Sequence, residues 1–211
     1  MRWHGHACFE VAGSSVVVTD PHDGKSIGIR PPRASADVVL VSHDHFDHDC
    51  SRIIKGADTV VIDQPVMTVE KGVRVEGVEA FHDDQRGAKR GGVNLYRFEM
   101  DGFSFCHLGD LGHVLDDVQR DKLQKVDFLF VPTGDVFTIG PEAAKEVIGQ
   151  IAPRVVIPMH YRTAGLSLSI RPLQDFLDVM GDMPVNRVGN EIDFAREDLP
   201  ESRTEIWVFS E

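Results

Sequence analysis

Three imidazoles and two carboxylates crowd into six consecutive positions, His43-Asp44-His45-Phe46-Asp47-His48. Packing alone gives no reason to gather so many titratable groups, because desolvation and mutual repulsion at low pH both cost stability. A bound cation does give one. Neutral imidazole and carboxylate are borderline to hard donors that suit Zn2+, with Mn2+ or Fe2+ also compatible. A solvated capping cluster on a surface loop is the plainer reading, but it does not require the spacing His-x-His-x-Asp-His.

A strand has to deliver this cluster. Residues 36–41 (Ala-Asp-Val-Val-Leu-Val) are short, β-branched and apolar, the pattern of a buried strand. Side chains two apart in an extended chain point the same way, so His43 and His45 share a face at the strand end. Asp47 or Asp49 can cap a short helix over residues 50–55, closed by Gly56. Further donors stand singly. His82 ends a predicted strand and opens a polar loop, 83–92, that holds Arg86, Lys89 and Arg90 among three glycines. Asp110 sits in Leu-Gly-Asp-Leu-Gly, and His160 follows the apolar run 155–158. Each is a weak signal alone.

Elsewhere, residues 3–11 and 15–19 read as a hairpin around Ala12-Gly13-Ser14, and short strands follow at 59–62, 73–79, 93–100 and 103–107, with Asp101-Gly102 as a hairpin turn. Helices are expected at 116–124, at 141–150 with Pro141 in its first turn, and at 171–180 ended by Gly181. Between them, 128–131 and 154–158 read as buried strands. A β-rich first half followed by alternation predicts an α+β fold, a mixed-sheet sandwich with helices outside.

The chain has 211 residues, without a linker, repeat or low-complexity tract, which is expected to make one domain over 1–211. Its start lacks an apolar signal core and no run approaches the roughly 18 apolar residues of a membrane span, so a soluble, cytoplasmic protein is expected. Three cysteines with no Cys-x-x-Cys give no disulfide framework. The 22 basic and 34 acidic side chains give a formal net charge of -12, which disfavours nucleic acid and anionic membrane as partners. A small-molecule substrate, anionic ones included, remains compatible because bound dications invert the local field. Composition leaves a homo-oligomer open.

At the histidine cluster the chain resembles the metallo-β-lactamase-fold hydrolases, and the resemblance runs on. Met-Arg-Trp-His-Gly-His-Ala-Cys-Phe-Glu at the start is similar to the opening strand of their small lactonase-like and phospholipase-D-like branch. Thr19-Asp20-Pro21, Ala80-Phe81-His82, His107-Leu108-Gly109-Asp110 and Ile157-Pro158-Met159-His160-Tyr161 resemble later landmarks, in the family's order.

The resemblance implies four layers, αββα, with a dinuclear site at one edge. In it His43, His45 and His82 hold one ion, Asp47, His48 and His160 the other, and Asp110 bridges. It also implies two Zn2+ ions and a hydrolase that attacks a small ester, lactone or phosphodiester with a metal-bridging hydroxide. Asp47 is expected to orient the nucleophile or relay its proton. Asp20 is expected to orient a ligand imidazole, and His6, His107 or His113 to meet the substrate or its leaving group, with a structural histidine as the alternative for each. Tyr161-Arg162-Thr163 and the loop 83–92, read as a mobile basic flap, are candidates for substrate contact. The absence of a signal sequence and the presence of His48 argue against a secreted β-lactamase, and His45 stands where di-iron relatives carry Glu. A nuclease-type phosphodiesterase and a noncatalytic metal-binding module of the same fold are the alternatives.

Overall fold

A computed structural model describes residues 1–210. Five strands form a small sheet in chain order: β1 (Arg2–Trp3), β2 (Phe9–Ala12), β3 (Val16–Thr19), β4 (Val38–Leu40) and β5 (Val60–Ile62). The first three are antiparallel, and β3, β4 and β5 run parallel. The second sheet has eight strands: β6 (Met67–Glu70), β7 (Val73–Phe81), β8 (Gly92–Met100), β9 (Phe103–His107), β10 (Phe128–Pro132), β11 (Val155–Met159), β12 (Val185–Arg187) and β13 (Glu205–Val208). Their order is β12-β13-β11-β10-β9-β8-β7-β6. Antiparallel pairing joins β6 to β9, and parallel pairing joins β9, β10, β11, β13 and β12.

Alternation along the strands builds the layers, since successive side chains leave opposite faces. Phe9, Val17 and Leu40 from the small sheet meet Tyr96, Phe98, Phe105, Phe128 and Phe130 from the large one in the inner core. The other face of the large sheet, with Leu95, Leu129 and Val156, is covered by α1 (Asp117–Leu123), α2 (Pro141–Ile151) and α3 (Leu173–Met180) through Leu123, Val147, Ile151 and Phe176. Asp116 starts α1 with a capping box, accepting from the Gln119 N–H while Gln119 accepts from the Asp116 N–H. The α+β sandwich is the expected one. Its outermost layer, over Cys8, Val18, Val39 and Val41, is thin, supplied by Ile54 and a single 3-10 turn (Ser51–Ile53).

Two local expectations change. The helix expected over 50–55 shrinks to that one turn, with Cys50 before it and no side-chain cap, because Asp47 faces the histidines and Asp49 faces solvent. The single strand expected over 3–11 folds back on itself, so that β1 pairs with β2 and His4 to Cys8 form a tight loop. Gly5 (φ 91°) and His6 (φ 56°) reverse the chain there. No helix among the described residues is long and apolar enough to cross a membrane.

Candidate metal centre

Topology brings distant residues to one edge. β7, β9 and β11 run in the same direction, and the chain leaves their C-terminal ends at His82, at the 108–110 segment and at His160. The parallel strands β3 and β4 of the other sheet end just before Asp20 and Ser42-His43. The β1–β2 loop adds His6 and the turn after His43 adds His45, Asp47 and His48, and all of these except His45 are buried. His6, Asp20 and His160 all have left-handed backbone (φ 56°, 37° and 52°), a conformation that costs a non-glycine residue free energy and concentrates at functional sites.

Two sets of donors result. Donor atoms of His43, His45 and His82 lie within 4.8 Å of one another, and so do those of His6, Asp47, His48 and His160. Asp110 stands between the sets. Its Oδ2 is 3.2 Å from His82 Nε2 and 3.2 Å from His160 Nε2, and its Oδ1 is 3.2 Å from His48 Nε2. The His48 contact lacks hydrogen-bond geometry, so His48 Nε2 and Asp110 Oδ1 are both buried without a hydrogen-bond partner, as is His43 Nε2. Buried polar atoms are almost always satisfied. One carboxylate oxygen and two imidazole nitrogens left unsatisfied at one spot fit a cation-binding set.

Asp20 fixes the imidazoles that present those lone pairs. Its Oδ2 accepts from His48 Nδ1–H at 2.9 Å and from Ser42 Oγ–H at 2.7 Å, and Ser42 Oγ in turn accepts from His43 Nδ1–H at 2.8 Å. The tautomers of both rings are thereby set, with Nε2 left for a ligand. A third close group, Asp20 with His43 and His48, is this hydrogen-bonded network. Burial, reinforced by the neighbouring His48, lowers the His43 pKa to about 3, and burial beside His160 does the same to His6. Both rings are neutral at pH 7, the form that binds metal. For His48 burial works against the cation, but Asp110 and Asp20 outweigh it and push its pKa up.

The β1–β2 loop is held from several sides. Trp3 Nε1–H donates to the His6 carbonyl at 3.1 Å, His107 Nε2–H to the Ala7 carbonyl at 3.0 Å, and His22 Nε2–H to the His4 carbonyl at 3.1 Å. His6 Nε2 lies 3.1 Å from Asp47 Oδ2.

Other candidates fall elsewhere. His107 uses both ring nitrogens on backbone, since its Nδ1 accepts from Gly109 N–H at 3.2 Å. His113 does the same: Nε2 accepts from Phe81 N–H at 3.1 Å and Nδ1–H donates to the Val114 carbonyl at 2.8 Å. The catalytic role expected of His113 therefore has no free nitrogen to perform it. Tyr161 is buried against Trp3 and donates to the Phe209 carbonyl, so it belongs to the core. The loop 83–92 is not a loose flap, because the Asp83 carboxylate accepts backbone N–H groups of Gln85, Gly87, Lys89 and Arg90 at 2.8–2.9 Å. Sequence reasoning missed Ser42 and Asp83. A hydroxyl directly before the first histidine, and an Asp opening a glycine-rich loop, were the available signals.

Residues 1–160 match the family described as the β-lactamase superfamily domain. The chain is 31% identical to a UPF0173 metal-dependent hydrolase of Thermoplasma acidophilum over 188 residues, covering 78% of this chain and 84% of that one. It is 33% identical to a relative of the same name from Methanoculleus marisnigri over 185 residues, 77% and 81% of the two chains. A crystal structure of a proposed Zn-dependent hydrolase of the metallo-β-lactamase superfamily from Thermotoga maritima superposes with a TM-score of 0.81 at 38% identity, over 99% of this chain and 96% of that one. A proposed metal-dependent hydrolase from Parabacteroides distasonis shares the fold at 16% identity, with a TM-score of 0.68 over 97% and 89%. Matching along three-quarters of its length, with the donors of the fold's edge in place, the chain belongs to the metallo-β-lactamase superfamily, in its UPF0173 family.

Proposed function

We propose that this protein is a metal-dependent hydrolase with a dinuclear site. His43, His45 and His82 hold one dication, Asp47, His48 and His160 hold the second, and Asp110 contacts both. The observation that carries the reading is the trio of buried atoms without hydrogen-bond partners, His43 Nε2, His48 Nε2 and Asp110 Oδ1. The imidazole-rich, thiolate-free donor set fits Zn2+ best, with Mn2+ or Fe2+ as substitutes. When bound, such ions acidify water to near neutrality and polarise a substrate oxygen.

The chain's own residues supply position. Asp20 and Ser42 lock two imidazoles in the tautomer that ligates. His6 holds Asp47 by the 3.1 Å contact, and Asp47 keeps a small exposed edge from which it can orient water. His6 thus enters as a positioning residue for Asp47, with its other nitrogen buried. The bond attacked is that of a small ester, lactone or phosphodiester.

Stripping the metal with a chelator and restoring Zn2+ or Mn2+ tests this, with simple esters, thioesters, lactones and bis-p-nitrophenyl phosphate as substrates. Turnover should vanish on stripping and return on reconstitution. Turnover that survives verified metal removal contradicts the reading, and so does a fully loaded protein inert toward every bond in the panel.

A further inference from the structure

A cleft of about 480 Å³ opens beside His82 and runs to the start of α2. Val136, Phe137, Ile139 and Ala143 give it an apolar wall, and Arg90 supplies its cation. Each acidic group in the lining is already matched. Asp83 is saturated by four backbone N–H groups, Asp135 Oδ2 takes Arg171 Nε at 2.9 Å, and Asp84 lies 3.6 Å from Lys89 Nζ. The polar neighbours are also spent, since His113 is tied to backbone and Thr138 donates to the Ile139 carbonyl. Among the described residues Arg90 has no carboxylate partner.

Arg90 is nevertheless fixed. Its backbone N–H is held by Asp83 at 2.8 Å, its Nη2 donates to the Val136 carbonyl at 3.2 Å, and its guanidinium lies 5.4 Å from the centre of the Phe137 ring. Val136 and Asp135 keep left-handed backbone (φ 55° and 56°), rare for a β-branched residue, on the segment that receives it. A guanidinium has several donors in a planar fork that matches a carboxylate, and only one is engaged here. A guanidinium edge without a carboxylate partner, beside an apolar wall, offers a place for one carboxylate. A phosphate monoester, near -2 at pH 7, would leave excess negative charge in a chain already at -12.

We propose that this cleft takes the non-reacting part of the substrate, an apolar carbon body, and that Arg90 pairs with a single carboxylate on it. The word substrate rests on the hydrolytic reading above, whereas the binding preference does not.

Calorimetric titration of the metal-loaded protein with hexanoate, hexanamide and hexyl phosphate tests it, using wild type, Arg90→Gln and Arg90→Lys. Wild type should bind hexanoate about tenfold tighter than hexanamide, and tighter than hexyl phosphate. Arg90→Gln should lose that preference at unchanged metal content, and Arg90→Lys should keep part of it. The idea is overturned if hexanoate fails to saturate wild type, if its affinity is the same in Arg90→Gln, or if hexyl phosphate binds tighter. Should the hydrolytic reading alone be wrong, the preferences would persist without metal-dependent turnover.

Discussion

Ser42 is uncharged, yet it passes the hold of Asp20 on to His43, while the same carboxylate grips His48 directly. One buried aspartate thus aligns an imidazole in each of the two donor sets. Removing a partner of this kind typically weakens metal binding 10- to 100-fold. Asp20→Ala should therefore raise the Zn2+ dissociation constant by about that factor in a chelator competition, and an unchanged affinity would remove Asp20 from the account. Residue types alone pointed to His43, His45, Asp47 and His48 as candidate donors, because they are neighbours in the chain. They did not reveal that His113 is consumed by backbone or that Ser42 is a relay, since those roles depend on partners reached only after folding.

At the scale of elements, the site depends on close approaches between segments. Gly109 has φ 48°, and a Cβ there would lie 2.5 Å from Ser42 Cβ and 2.9 Å from a Val93 methyl. The turn that presents Asp110 thus packs directly on the residue that orients His43. Gly109→Ala combines left-handed strain with overpacking, and should cost about 2–4 kcal/mol in urea melts while lowering metal content. A variant as stable and as metal-rich as wild type would contradict that packing. Most strands were readable from β-branched runs and hairpin turns, and α2 from Pro141. The β1–β2 reversal was not, because apolar residues on both sides of Gly5-His6 read as one strand. Nor were β6 and β12, short strands at the two sheet edges, where burial imposes little pattern, or β13, whose buried run Ile206-Trp207-Val208 is only three residues long.

Across the whole molecule, the buried histidines couple stability to pH. Burial lowers His22 to about 4, and His6 and His43 to about 3, from an ordinary 6.5. Below pH 6.5 the unfolded chain takes up protons that the folded one refuses, so stability falls as the pH drops from 6.5 toward those values. His48 is shifted the other way, and its contribution is fully present below 6.5 and lost only above it. His22 alone is worth on the order of 3 kcal/mol by pH 4. Urea midpoints of the chelator-treated protein should decline steadily from pH 7 to 4.5, and a flat profile would mean that these rings are not buried in their neutral form. The layered architecture was legible from the order of strands and helices together with the family resemblance. The convergence at one edge was legible only through that resemblance, because strand direction in a sheet is invisible in any single segment. The most direct test of the dinuclear site is anomalous diffraction at the zinc and manganese edges from crystals of the metal-loaded protein. The account predicts two peaks about 2.0–2.2 Å from their donors, one among His43, His45 and His82 and one among Asp47, His48 and His160, both touching Asp110. No peak at these residues, or a lone ion bound elsewhere, would contradict it.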